Sequence, residues 1–474
     1  MHSRRMFIGG LAGSAVRALR ADNEDLCWLT LEQAGEMVRR KKTSPVELTR
    51  ACLHRIEKLN PSLNAFITVT ADTALSQAKE REAELRAGRP RGPLHGIPIA
   101  LKDLIDTAGV RTTAGSKEWA DRIPTKDAEV VRRLKEGGAI LLGKLNMDEF
   151  AYNYTAETSA YGPSRNPWDR QRSPGGSSGG SAVAVAAGMC FAALGSDTGG
   201  SIRLPAALCG ISGFKPTYGR VSTHGVAPLA WSLDHLGPMC RTARDAASMF
   251  SAMAGLSSPG RLVDRDIKSV RLGVPRAVFY EKLHPEVEST LVEAVRALGR
   301  LTSGVREVRL PELQRSSELS EFPLAYVRII SAEAYAFHEE TLKREPSRYD
   351  PRTRKTIEAG ATITAAEYVH ARREMDRLRA ESARLFEEAD LLVTPAAPAP
   401  AFVLGEPAGL IFLRNAAPWN LYGLPSISIP CGFTAGGLPV GMQITGAAGR
   451  DDLVLSAAAA YQRVTNWHAR HPSI

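Results

Sequence analysis

A chain of 474 residues, 44% hydrophobic and 23% charged, has the balance of a globular protein with a large buried core, which excludes a disordered or fibrous chain. The formal charge is +9, but Arg4, Arg5, Arg17 and Arg20 lie in the first 21 residues, where no acid occurs; the small surplus that remains argues against a nucleic-acid-binding protein. The six cysteines, Cys27, Cys52, Cys190, Cys209, Cys240 and Cys431, are scattered without a C-x-x-C pair, so no zinc site or disulfide framework is expected, and no other metal or cofactor.

In chain order, Ser3–Ile8 resembles a twin-arginine export signal and is followed by an apolar stretch from Met6 to Val16. That stretch is too short to span a bilayer. Residues 1–21 are therefore expected to be a signal segment directing export to the periplasm, with residues 22–474 as one domain. The alternative is a frayed basic N-terminus on a cytoplasmic protein.

Ser44-Pro45-Val46-Glu47 carries the marks of a helix start: serine at the N-cap, proline at N1 and glutamate closing a capping box. Leu48, Cys52, Leu53, Ile56 and Leu59 follow at helical spacing, and Asn60-Pro61 predicts its stop. A charged helix is expected over about 71–87. The apolar run GIPIALKD, Gly96–Asp103, predicts a strand that delivers Lys102 at its end. Asp127 is expected to cap a helix carrying Val130, Val131 and Leu134, and Ala139–Gly143 a fully buried strand. A tightly packed helix over 182–187 and a strand over 190–194 come next. Strands are expected at 270–274 and 305–310 around a helix near 285–300. The chain then looks mostly helical over 318–388, with late strands at 390–394, 426–430 and 440–444 and a closing helix over 452–464. This alternation predicts an α/β fold: a single large domain with a mixed β-sheet flanked by helices on both faces.

Two glycine-serine clusters, GGSSGGS at 175–181 and GSDTGGSIR at 195–203, flank the 182–194 segment. Glycine permits close backbone approach, and serine offers a nucleophile or a proton carrier. Gly175, Ser177 and Gly179 match the G-x-S-x-G of a nucleophile elbow, but no strand precedes them, and none of His224, His235, His338, His370, His468 or His471 is singled out as a partner. The other reading is a serine activated by lysine. Lys102 is the first candidate base, because burial lowers a lysine pKa; Lys144 is a competitor at a similar strand end.

These strings, with Gly213–Thr217 and Ser232–Asp234, resemble the amidase signature family over roughly residues 25–255 and 390–472. The resemblance implies Ser201 as nucleophile, Ser177, preceded by a cis peptide bond, as proton carrier, and Lys102 as base. It also implies an acyl-enzyme on Ser201. Backbone N–H groups of Thr198, Gly199 and Gly200 would form the oxyanion hole. Ser178, Ser181, Asp197 and Arg203 are expected to support the loops; Trp119, Trp231 and Trp419 are candidates to line the pocket, with the core as the commoner place for a tryptophan.

The family contains free-standing amidases and the A subunit of the tRNA-dependent amidotransferase, which releases ammonia from glutamine. Asn146–Ala151 and Lys215–Arg220 resemble the latter. However, the aspartate that usually holds the glutamine amino group there has no counterpart in Phe412–Asn415, and Ser347–Arg354 and Ile363–Tyr368 look like free-standing amidases. The expectation is a free-standing amidase acting on a small-molecule linear amide. The alternative is the glutaminase A subunit of a Glu-tRNA(Gln)/Asp-tRNA(Asn) amidotransferase, the one reading that brings in a nucleic-acid partner. A homodimer is compatible with either. The acyl pocket is expected from 119–125, 318–370 and 400–420, with Phe402, Leu404, Leu410, Ile411 and Phe412 suggesting an apolar or aromatic acyl group.

Overall fold

The structure is a computed structural model and describes residues 26–256, 259–310, 313 and 323–474. The expected export segment lies outside these residues. One eleven-stranded sheet organises the chain. Its strands are β1 Phe66–Val69, β2 Pro98–Lys102, β3 Ile140–Leu145, β4 Ala192–Asp197, β5 Ser212–Lys215, β6 His235–Cys240, β7 Arg271–Val274, β8 Gly304–Glu307, β9 Leu391–Pro395, β10 Ser426–Phe433 and β11 Pro439–Gly446. They lie in the order β1-β3-β2-β4-β6-β5-β10-β11-β9-β7-β8.

The pairing is mixed. β2 runs parallel to β3 and β4, and β7 parallel to β8 and β9, while β4–β6, β5–β10 and β10–β11 are antiparallel. Every residue of β2, β3, β4 and β6 is buried, so layers cover both faces of the sheet centre. Because β2 and β4 are parallel neighbours, their C-terminal ends come out at the same edge. Lys102 ends β2, and Ser196 and Asp197 end β4. Among the described residues no helix is long and apolar enough to cross a membrane.

Most expected elements form, and the departures have local causes. The capping box is present: Glu47 N–H donates to Ser44 Oγ at 3.1 Å, and Ser44 N–H to the Glu47 carboxylate at 2.8 Å. The helix does not stop at Asn60-Pro61. It runs Pro45–Leu63, and Asn64 ends it in the left-handed region at φ 51°. In the last turn a proline forfeits a single helical hydrogen bond, and few residues remain to be disturbed. Asp127 does not cap the helix Glu129–Glu136. It accepts hydrogen bonds from Ala108 N–H and Lys135 Nζ, and Ala128 holds the cap position. Strands β5 and β6 and the helix Arg203–Cys209 have no strong sequence pattern. They are short, and β6 contains Gly237 and Pro238.

Replacing Ser44 by Ala removes the side-chain half of the capping box. It should cost about 1 kcal/mol of stability, read as a shift in the chemical-denaturation midpoint at an unchanged slope.

Candidate active site

The site forms where β2 and β4 end beside the loop that carries the first glycine-serine cluster. Lys102 is fully buried, and its Nζ donates to Ser177 Oγ at 2.7 Å and to Ser196 Oγ at 2.8 Å. Burial pushes its pKa down from 10.5 to about 7, although Asp148, Asp197 and Asp234 pull the other way. Lys144, the competing lysine, sits elsewhere in the network: its Nζ donates to Thr112 Oγ1 at 2.7 Å and to the Ile105 carbonyl. Ser196 lies inside the string already singled out, yet no spacing rule marked it. Its place at the end of a strand parallel to β2 brings it to the amine.

The Gly176–Ser177 peptide bond is cis. No strand leads into this cluster; the helix Gly179–Ala186 follows it, so the arrangement is not a nucleophile elbow. Gly176 has no room for a side chain, since a Cβ there would lie 2.1 Å from Asp148 Oδ2. Asp148 is itself fixed by hydrogen bonds from the N–H groups of Ala156, Glu157 and Thr158 and from Thr158 Oγ1. The two clusters meet directly: Ser178 N–H donates to the Ser201 carbonyl at 3.3 Å. Ser178 Oγ also donates to the Ser196 carbonyl, and Ser181 Oγ to the Leu194 carbonyl.

Asp197 and Arg203 form the buried brace of the second cluster. Arg203 donates to the Asp197 carboxylate through Nε at 3.0 Å and Nη2 at 2.9 Å. The remaining guanidinium donors reach Gln443 Oε1 and Asn420 Oδ1. Burial alone would raise the Asp197 pKa, but the Arg203 charge and hydrogen bonds overcome it and hold the carboxyl well below its usual range. Asp197 also accepts from the N–H groups of Gly200 at 2.8 Å and Ile202 at 3.2 Å. Ser201, between those two residues, is thereby held in a fixed turn.

Of the expected oxyanion donors, the Gly200 N–H donates to Asp197 in this structure. Thr198, Gly199 and Ser201 line the adjoining cleft. A Cβ on Gly199 would fall 2.0 Å from Tyr326 Oη, so only glycine lets this segment pass the tyrosine.

The cleft in front of Ser201 has a volume of about 1160 Å³. Tyr326, Val327, Ile330 and Ser331 of the helix Leu324–Arg344 line it, as do Arg352, Thr356 and the 403–408 loop. The expected pocket segments are corrected in part. Residues 119–125 do not reach the cleft. Leu404 and Leu410 line it, whereas Phe402 and Phe412 pack edge-to-face on each other, and Ile411 is also no part of the lining. None of the three candidate tryptophans lines it either. Trp119 packs on Phe150 and Phe337, Trp419 stacks on Phe279 in the core, and Trp231 borders a separate, smaller cavity.

Comparison with known proteins bears on this site. The profile of the amidase family matches residues 47–455. The A subunit of the glutamyl-tRNA(Gln) amidotransferase from Roseiflexus sp. (strain RS-1) is 41% identical, over 94% of this chain and 98% of its own length. A solved structure described as an amidase superposes with a TM-score of 0.85 at 37% identity, covering 92% of this chain and 99% of its own. The corresponding glutamyl-tRNA(Gln) amidotransferase structure, that of the A subunit from Thermotoga maritima, superposes with a TM-score of 0.78 at 33% identity, covering 94% and 97%.

Replacing Arg203 by Leu would leave Asp197 charged and buried without its partner. A stability loss of about 3–5 kcal/mol is expected by thermal or chemical denaturation. Arg203→Lys should fall between, since a lysine cannot bridge Asp197, Gln443 and Asn420 together.

Proposed function

The chain belongs to the amidase family, and from that premise we propose that it hydrolyses a carboxylic amide to acid and ammonia or amine through Lys102, Ser177 and Ser201. The observation that carries the reading is the buried Lys102 Nζ at 2.7 Å from Ser177 Oγ. A lysine serves as a base only when neutral, and burial brings this one to about 7. Once neutral, its lone pair accepts the Ser177 proton as Ser177 Oγ takes the proton of Ser201. Ser201 Oγ then attacks the amide carbonyl carbon. The N–H groups of Thr198 and Gly199, with that of Ser201, are the donors proposed for the resulting oxyanion. Collapse breaks the C–N bond while Ser177 gives a proton to the leaving nitrogen and regains one from Lys102. Water then attacks the acyl-enzyme ester by the same relay, releasing the acid and restoring the Ser201 hydroxyl.

Two substrates compete. The curated relatives weigh toward the glutaminase reading, against the sequence-based expectation of a free-standing amidase. In the glutaminase reading the substrate is glutamine, and the ammonia passes to a partner. One local observation favours the free-standing reading: the 412–415 segment offers no acid to a glutamine amino group. Its polar side chains turn inward, Arg414 Nη2 to the Glu281 carbonyl at 2.6 Å and Asn415 Nδ2 to the carbonyls of Phe279 and Pro395.

Ammonia release from glutamine, beside a panel of aliphatic and aryl amides, separates the two. Glutamine as sole substrate establishes the glutaminase reading, and turnover of the panel without glutamine the free-standing one. Ser201→Ala should lose all turnover and all labelling by a fluorophosphonate; near-normal turnover by that variant would sink the mechanism. The kcat/KM of the wild type should rise as pH increases through about 7, where Lys102 loses its charge, so a flat profile there would remove the lysine base.

A further inference from the structure

Ser196, the second partner of Lys102, also forms a wall of a separate cavity of about 150 Å³. Ala151, Thr198 and Leu229 border both this cavity and the acyl cleft, while Ser201 borders the cleft alone. The polar walls include Ser196, Thr198, Asp234 and His235. Asp234 accepts the Thr198 hydroxyl at 2.6 Å and the N–H groups of Leu229 and Ala230 at 2.9 and 3.1 Å. His235 Nδ1 lies 2.7 Å from the Leu233 carbonyl, which places the ring N–H there and leaves Nε2 as a lone-pair acceptor. That Nε2 is buried, has no hydrogen-bond partner among the described residues and does not open onto the cavity. Burial, and then the nearby Lys215 charge, keep this imidazole neutral.

The chamber therefore offers the Asp234 carboxylate and the hydroxyl oxygens of Ser196 and Thr198. This acceptor-rich set suits a small cation with several N–H donors. We propose that it binds ammonium, the cationic form of the nitrogen released at Ser201. The choice of ligand rests on the amide-hydrolysis reading. At about 30 Å³ for each water-sized molecule, the volume takes one ammonium with several waters.

Ammonium here and the charged form of Lys102 would share Ser196, so each disfavours the other. Bound ammonium therefore promotes the neutral amine and moves the acid limb of the rate profile to lower pH. The other charged groups facing Lys102 are Asp148, Asp197 and Asp234, and Glu333 faces Asp234. Burial raises the Asp234 pKa to about 6, so the chamber loses its charge, and its cation, below that pH.

The test uses Ser201→Ala protein, which cannot turn over, titrated calorimetrically at about pH 8 with ammonium chloride or tetramethylammonium chloride at equal ionic strength. Tetramethylammonium has the charge but no N–H donor. Binding specific to ammonium is expected, weakened roughly tenfold or more in Asp234→Asn and in Ala227→Leu, which fills the chamber without touching a charge. In the wild type, ammonium should shift the acid limb downward relative to tetramethylammonium. Equal responses to the two salts, or ammonium binding undiminished in Ala227→Leu, would overturn the proposal. Asp234 anchors two backbone N–H groups, so Ala227→Leu decides the matter if Asp234→Asn fails to fold. Amide hydrolysis without ammonium-specific binding sinks the chamber, whereas binding without any amide hydrolysis sinks the proposed function.

Discussion

The arrangement depends on one costly placement: a lysine amine at the end of a central strand, wholly removed from water. An isolated ammonium there is strongly disfavoured, so the amine gives up its proton near neutrality unless something compensates. The protein compensates only in part. Two hydroxyls, Ser177 and Ser196, meet the amine directly, while Asp148, Asp197 and Asp234 act at longer range. With one of those carboxylates in contact, Lys102 would stay charged. With none nearby, its pKa would fall further. That balance brings Lys102 to about 7, as the proposed base role requires.

Keeping charge at arm's length requires that every nearby carboxylate be engaged elsewhere. Asp197 is paired with Arg203, Asp148 is held by a turn of backbone N–H groups, and Asp234 by Thr198 and two further N–H groups. The Asp197 brace has a second consequence. By taking the Gly200 and Ile202 N–H groups it orients the turn that carries Ser201. The glycines serve the same end: Gly176 makes room for Asp148, and Gly199 for Tyr326. The chemistry is thus placed by packing and by buried polar pairing together.

The site opens in two directions. Ser201 and Gly199 face a large cleft walled by the 324–344 helix and the 403–408 loop, while Ser196 and Asp234 face a small acceptor-rich chamber. The small chamber is built from β4, the start of β6 and the loop before it, the same elements that set the Lys102 environment.

Much was legible in the sequence because it is local. The capping box at Ser44, the buried strands around Lys102 and Ile140, and the two glycine-serine strings depend on neighbouring residues, and the structure forms them where the pattern implies. The resemblance carried by those strings pointed to Lys102, Ser177 and Ser201. What tertiary structure alone decided involves partners far apart in the chain. Ser196 reaches Lys102 only because β2 and β4 are parallel neighbours, 94 residues apart at that contact. Arg203 binds Asn420 and Gln443 across more than 200 residues, and the Gly200 N–H proves to belong to that brace. Of the three tryptophans weighed between pocket and core, Trp119 and Trp419 pack on other aromatic rings and Trp231 borders the smaller cavity. Periodicity reports that a side chain is buried; which neighbours it is buried against depends on strand order, and strand order is a property of the folded sheet.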